Sequence, residues 1–160
     1  MTIPARLGGR PVTSVGSLAF YICSRLTSVT IPDSVTQIKA SAFANCSSLT
    51  NVQIPAGVMS IEGSAFDGCS GLMSVTIPSG VTNIGNLAFS DCSGLTNVVL
   101  SYGVTGIGES MFSNCTNLTC VVIPNSVNCI GRCAFSGCSG LSDITIPDSV
   151  TSIGDIAFKG

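Results

Sequence analysis

The chain has 160 residues, 45% apolar and only 9% charged, with a net charge of −2 and no histidine. Its few basic residues, Arg6, Arg10, Arg25, Lys39, Arg132 and Lys159, are scattered, so the cationic cluster that nucleic acid or an anionic membrane surface requires is missing. Hydrophobicity this high excludes a disordered chain, and no apolar run reaches the roughly 18 residues of a membrane-spanning helix.

In chain order, residues 1–25 read as a degenerate first unit, in which Val12, Val15, Ala19, Phe20 and Cys23 fall in register with Val35, Ile38, Ala42, Phe43 and Cys46. Five full units of 23 residues fill 26–140, beginning at Leu26, Leu49, Leu72, Leu95 and Leu118. A truncated unit, 141–160, begins at Leu141 and stops before its cysteine. Phe20, Phe43, Phe66, Phe89, Phe112, Phe135 and Phe158 recur at one interval, a regularity that chance does not produce. Such self-similarity is the mark of a stacked array, and the chain reads as a single solenoid domain.

Numbered from its leucine as position 1, each unit is apolar at positions 1, 4, 6, 10, 13, 17, 18 and 21. The β-branched pair at 4 and 6 predicts a short strand with one buried face. Proline at 7 ends it, having no N–H to offer a ladder. An Asp-, Asn-, Ser- and Gly-rich turn follows. Positions 10 and 13 predict a second short extended piece. Glycine at 14 then leads into a tight or 3₁₀-like turn that brings Ala and Phe into the core. The predicted fold is a repeat solenoid, mainly β, with short strands stacked in a parallel sheet and little regular α-helix. One coil cannot bury this apolar set by itself, but stacked coils can.

The motif resembles the BspA-like, or treponemal-type, leucine-rich repeat; Leu26, Val29, Ile31, Pro32, Val35, Ile38, Ala42, Phe43 and Cys46 carry the likeness in the first full unit. The opening Gly9-Arg10-Pro11-Val12-Thr13-Ser14-Val15-Gly16 is also similar to the way such arrays begin. The resemblance implies a surface or secreted protein that binds partner proteins through its stacked strands, with adhesion to host or neighbouring-cell proteins as the associated role. It carries no catalytic motif.

Chemistry is hard to find in the residues themselves. Without histidine, Ser-His-Asp and Cys-His nucleophiles are unavailable, and a four-ligand zinc site lacks its usual partners. No cofactor or metal is expected. Cys23, Cys46, Cys69, Cys92, Cys115 and Cys138 share one repeat position, so they read as a column of reduced, buried thiols. Cys120, Cys129 and Cys133 are extra, and a Cys129–Cys133 bond stays open beside simple substitution at variable positions. Asp143 and Asp148 could be named acid and base, but a solvated surface explains them better. The glycines of 103–108 fit no phosphate loop.

Side chains at positions 3 and 5 of the strand point outward, flanked by position 2. Stacked, they form a ribbon of small hydroxyl and amide groups. It breaks pattern where Val99 and Val122 replace Thr or Gln and where Ser101-Tyr102 replaces the proline of unit four. Met73, Asn97, Val99, Tyr102, Cys120, Val122 and Asp143 are therefore the candidate protein-binding surface. The expected activity is non-enzymatic: an interaction or adhesion module of a cell-surface or secreted protein, with host matrix or plasma proteins as expected ligands. A structural stalk within a longer surface protein is the alternative. Both ends fall inside a repeat, which favours a piece of a longer precursor over a cytoplasmic protein. The apolar edges there make end-to-end self-association a further expectation.

Overall fold

Each unit makes one coil with three sides, and every side stacks on its counterpart in the next coil. The computed structural model describes all 160 residues. An antiparallel hairpin, β1 (Arg6–Leu7) and β2 (Arg10–Pro11), comes first, fully exposed. It is extra chain between Pro4 and Val12, where a full unit needs only Asp33 and Ser34 between Pro32 and Val35. The segment before it is already part of the array. Thr2 bridges Thr30 in parallel, and the Ile3 N–H donates to the Thr30 carbonyl at 3.0 Å.

The first side is the strand face: β4 (Ser28–Thr30), β6 (Asn51–Gln53), β8 (Ser74–Ile77), β10 (Asn97–Leu100) and β12 (Cys120–Val122). Their burial alternates as a period of two demands, with Val29, Val52, Val75, Val98 and Val121 inward. The second side carries two-residue strands. Of these, β3 (Ser14–Val15), β5 (Gln37–Ile38), β7 (Ser60–Ile61) and β9 (Asn83–Ile84) form one parallel sheet, while β11 (Gly106–Ile107), β13 (Cys129–Ile130) and β14 (Ser152–Ile153) form another.

The third side, positions 15 to 21, is built of turns. Positions 16 and 20 take positive φ in nearly every unit, as at Ser41 (54°), Asn45 (60°), Leu87 (61°) and Asp91 (55°). In that conformation the N–H groups at 16, 18 and 20 point along the solenoid axis. At every junction they donate to the carbonyls at 15, 17 and 19 of the following coil, at 2.6–3.1 Å. Ser41 to Gly63, Phe43 to Ala65 and Asn45 to Asp67 make up one such set. Most N–H groups at 17, 19 and 21 stay inside their own coil, as Ala42 does with Lys39. The strand face runs the opposite way, with Thr50 donating back to Thr27 and Thr96 to Met73.

The core is a set of columns. Phe43, Phe66, Phe89 and Phe112 are fully buried, and the seven phenylalanine rings stack with centroids 5.0–5.8 Å apart and planes within 15°. That offset-stacked spacing is favourable for aromatic pairs. Leu49, Leu72, Leu95 and Leu118 form a second column without solvent contact. The buried cysteines tie neighbouring coils: the Cys69 thiol donates to the Phe43 carbonyl and the Cys92 thiol to the Phe66 carbonyl, both at 3.2 Å. Cys23 departs from the buried-thiol expectation. It is exposed, because no earlier coil presents a phenylalanine carbonyl to cover it.

Candidate protein-interaction surface

The strand face is not one continuous ladder. β8, β10 and β12 pair in parallel and in register, with Ser74, Asn97 and Cys120 in one row and Thr76, Val99 and Val122 in another. β4 and β6 form a separate pair. Residues 142–148, the strand position of the last unit, make no backbone hydrogen bond to the coil before them. Two seams result. The first, about 410 Å³, lies between β6 and β8 and is lined by Asn51, Gln53, Ser74 and Thr76 among others. The second, about 730 Å³, lies between β12 and the last unit, with Cys120, Val122, Asp143, Thr145 and Asp148 along it.

The seven predicted residues divide on this geometry. Asn97, Val99, Cys120 and Val122 lie together on adjacent paired strands. Val99 is half-buried between Thr76 and Val122, whereas Val122 is 51% exposed because nothing pairs beyond it. Asp143 faces them across the second seam. Met73 precedes β8 and Tyr102 follows β10, so they stand at opposite margins of the sheet, 59% and 75% exposed. The apolar surface is therefore a narrow valine pair with two separate outliers. The sequence reading missed the seams.

The loss of proline in unit four has a backbone consequence. Ser101 donates its N–H to the Ile77 carbonyl, and β10 runs one residue past β6 and β12. Ionisable groups with shifted affinity lie away from this face. Burial pushes the Cys69 thiol up to about 12 and Cys92 well above its ordinary value. Asp67 on the turn side is raised by burial and then by the charge of Asp91, against hydrogen bonds from Ser90 and the Gly68 N–H. The carboxylates of the second seam face no cation in an ion pair; the single salt bridge, Arg132 to Glu109 at 3.3 Å, is exposed.

The profile of the BspA type leucine-rich repeat region, which spans six copies, matches residues 13–138 and 116–160. The chain belongs to that family. Among solved structures, this BspA-type array superimposes on a leucine-rich cell surface protein of Faecalibacterium prausnitzii, with 42% identity and a TM-score of 0.88, covering 98% of this chain and 44% of that one. The leucine-rich repeat protein of T. pallidum gives 31% identity and a TM-score of 0.69 over 89% of this chain and 77% of that one. A leucine-rich repeat protein of Eubacterium ventriosum gives 28% and 0.71 over 84% and 42%. The array thus spans less than half the length of the F. prausnitzii protein. No curated protein sequence matches it. No helix is long and apolar enough to cross a membrane.

Proposed function

We propose that this BspA-type array is a non-catalytic protein-interaction module of a cell-surface or secreted protein, serving adhesion to matrix or plasma proteins of a host. The observation that carries the reading is the in-register pair of half-buried Val99 and exposed Val122 on the β8–β10–β12 sheet, beside the open second seam. Val122 and its neighbours supply a small desolvating centre, and Asn97, Cys120 and Asp143 supply a polar rim, the arrangement that interaction surfaces favour. The likeness to a leucine-rich cell surface protein supports the location. The test is binding of the purified chain to immobilised fibronectin, fibrinogen and other matrix proteins, beside a folded Val99→Arg/Val122→Arg variant. Saturable binding lost in the variant supports the reading. Binding that survives the change places the contact elsewhere.

A stalk is the second reading, favoured by the phenylalanine stack that runs unbroken from Phe20 to Phe158. A stalk tolerates both arginines and binds none of the panel.

A further inference from the structure

The junctions between full units are not equivalent on the second side. At most of them the N–H at position 11 donates to the position 11 carbonyl of the coil before, and the N–H at position 14 to the position 13 carbonyl. Met59 to Thr36 and Glu62 to Ile38, Thr82 to Met59 and Gly85 to Ile61, and Asn128 to Thr105 and Gly131 to Ile107 are such pairs, at 2.7–3.1 Å. Between coils 72–94 and 95–117 both bonds are missing. Thr105 does not reach Thr82, and Gly108 does not reach Ile84. The sheet that contains β9 stops there and the sheet that contains β11 begins. A cleft of about 200 Å³ separates them, lined by Thr82, Ile84, Thr105, Gly108 and Cys129 among others.

The core widens at the same place. Ile84 is partly exposed, whereas Ile38, Ile61, Ile107 and Ile130 at the same repeat position are at most 1% exposed. Across this junction the Phe89 and Phe112 rings stand 5.8 Å apart at 15°, the widest and most tilted step of the stack. The cause is visible in the sequence. Met111, fully buried, stands where Ala42, Ala65, Ala88 and Ala134 stand in the other units. A larger side chain in a packed column pushes its neighbours apart, and methionine adapts its shape to the gap it is given. The other two sides hold. β8 and β10 pair over four residues, Ser101 adds its bond to Ile77, and Leu87, Phe89 and Asp91 donate to Glu109, Met111 and Ser113 at 2.8–3.0 Å. The first seam of the strand face lacks this combination. The rings across it, Phe66 and Phe89, keep 5.2 Å and 5°, and Val52 and Val75 stay buried.

We propose that this junction is a joint inside the array. It opens and closes along the second side, pivoting on the intact strand face and turn side, and the bulk of Met111 keeps it from locking. Bending elsewhere on this side must break the position 11 and position 14 bonds, whereas here they are already absent. The array is then two stiff segments, coils 26–94 and coils 95–140, whose mutual angle varies on the microsecond-to-millisecond scale of hinge motion. The joint does not depend on what the strand face binds.

Nuclear magnetic resonance of the 160-residue chain tests this. Residual dipolar couplings of residues 26–94 and 95–140 are expected to require two alignment tensors of different magnitude, and relaxation dispersion should appear at Ile84, Thr105 and Gly108. The amides of Thr105 and Gly108 should exchange at least about tenfold faster than those of Asn128 and Gly131, their bonded counterparts one coil later. Met111→Ala restores the alanine column and is expected to close the joint. A single tensor should then fit both segments, the dispersion should vanish, and Thr105 and Gly108 should exchange as slowly as Asn128 and Gly131. Met111→Val serves in its place if the alanine variant does not fold. One tensor for the wild-type chain without dispersion would overturn the joint, as a fixed bend behaves that way. Two tensors that persist in the folded Met111 variant would overturn the part assigned to Met111.

Discussion

Ser101 donates its backbone N–H to the carbonyl of Ile77 at 3.0 Å, a bond that the proline of the neighbouring units has no hydrogen to make. The ladder therefore extends to the Leu100–Ile77 pair, next to the Val99 site. Ser101→Pro should delete the bond while keeping a backbone that Pro78 and Pro124 already adopt. A lost hydrogen bond costs about 0.5–1.5 kcal/mol, and proline returns part of that by restricting the unfolded chain. A net loss of less than about 1 kcal/mol in urea unfolding is expected, together with faster amide exchange at Leu100. A loss of several kcal/mol would mean the bond does more than close the strand.

The stack predicts that identical substitutions differ by position. Phe89 is fully buried between Phe66 and Phe112, with ring centroids at 5.2 and 5.8 Å. Phe89→Ala should cost about 3–5 kcal/mol. Phe158 has one stacking partner and is 37% exposed, so Phe158→Ala should cost less than half as much. Equal losses by chemical denaturation would contradict the column as the source of stability.

Asp67 sets a pH prediction. Burial and then the Asp91 charge raise its affinity for a proton in the folded state. The protonated form is favoured by folding, so the stabilising contribution is full below the unfolded carboxylate range of about 3.9. It is lost as pH rises through the higher folded value. Asp67→Asn should therefore be more stable than the parent at pH 7, and the advantage should shrink as pH falls toward 4. Melting curves across that range check it; a variant less stable at pH 7 would have the sign wrong.

Thiol reactivity should follow the columns. Cys23 and Cys120 are exposed, whereas Cys46, Cys69, Cys92, Cys115 and Cys138 are buried. Since the thiolate is the reacting species, Cys69, held near 12, resists alkylation twice over, by burial and by protonation. Brief iodoacetamide treatment of the native chain, followed by peptide mass analysis, should label Cys23 and Cys120 first. Labelling of Cys69 should wait for denaturant.

Much of this architecture was legible because each side chain recurs once per coil. The phenylalanine and leucine columns, the alternating strand and the proline stop are all patterns of residue type at fixed spacing. The left-handed positions were only half legible. In the five full units position 20 reads Asn45, Gly68, Asp91, Asn114 and Gly137, the residues that tolerate positive φ, while the degenerate first unit places Ile22 there at 58°. Position 16 reads Leu18, Ser41, Leu87, Cys133 and Ile156, where nothing announces it. The strain at those side chains, about 1–2 kcal/mol for an ordinary residue, is imposed by the ladder. Leu87→Asn should relieve part of it, raising the urea midpoint at unchanged slope. The seams of the strand face were not legible either, because Asn51, Gln53 and Asp143 carry no signal of whether a neighbouring coil will pair.

The junctions have a bearing on how such a chain can change in length. Each coil offers its successor the bonds and columns that its predecessor offered it, 23 residues earlier. A coil copied into the middle would find familiar partners on both sides, and no existing contact would need redesign. A single residue inserted within a strand or the turn side, by contrast, would put the columns and ladders of that coil out of step, whereas the loop after the strand accepts extra chain, as the β1–β2 hairpin shows. The reach of the array is thus quantised: it can grow or shrink by whole coils through duplication and deletion, while fractional changes are confined to loops and leave its length unchanged.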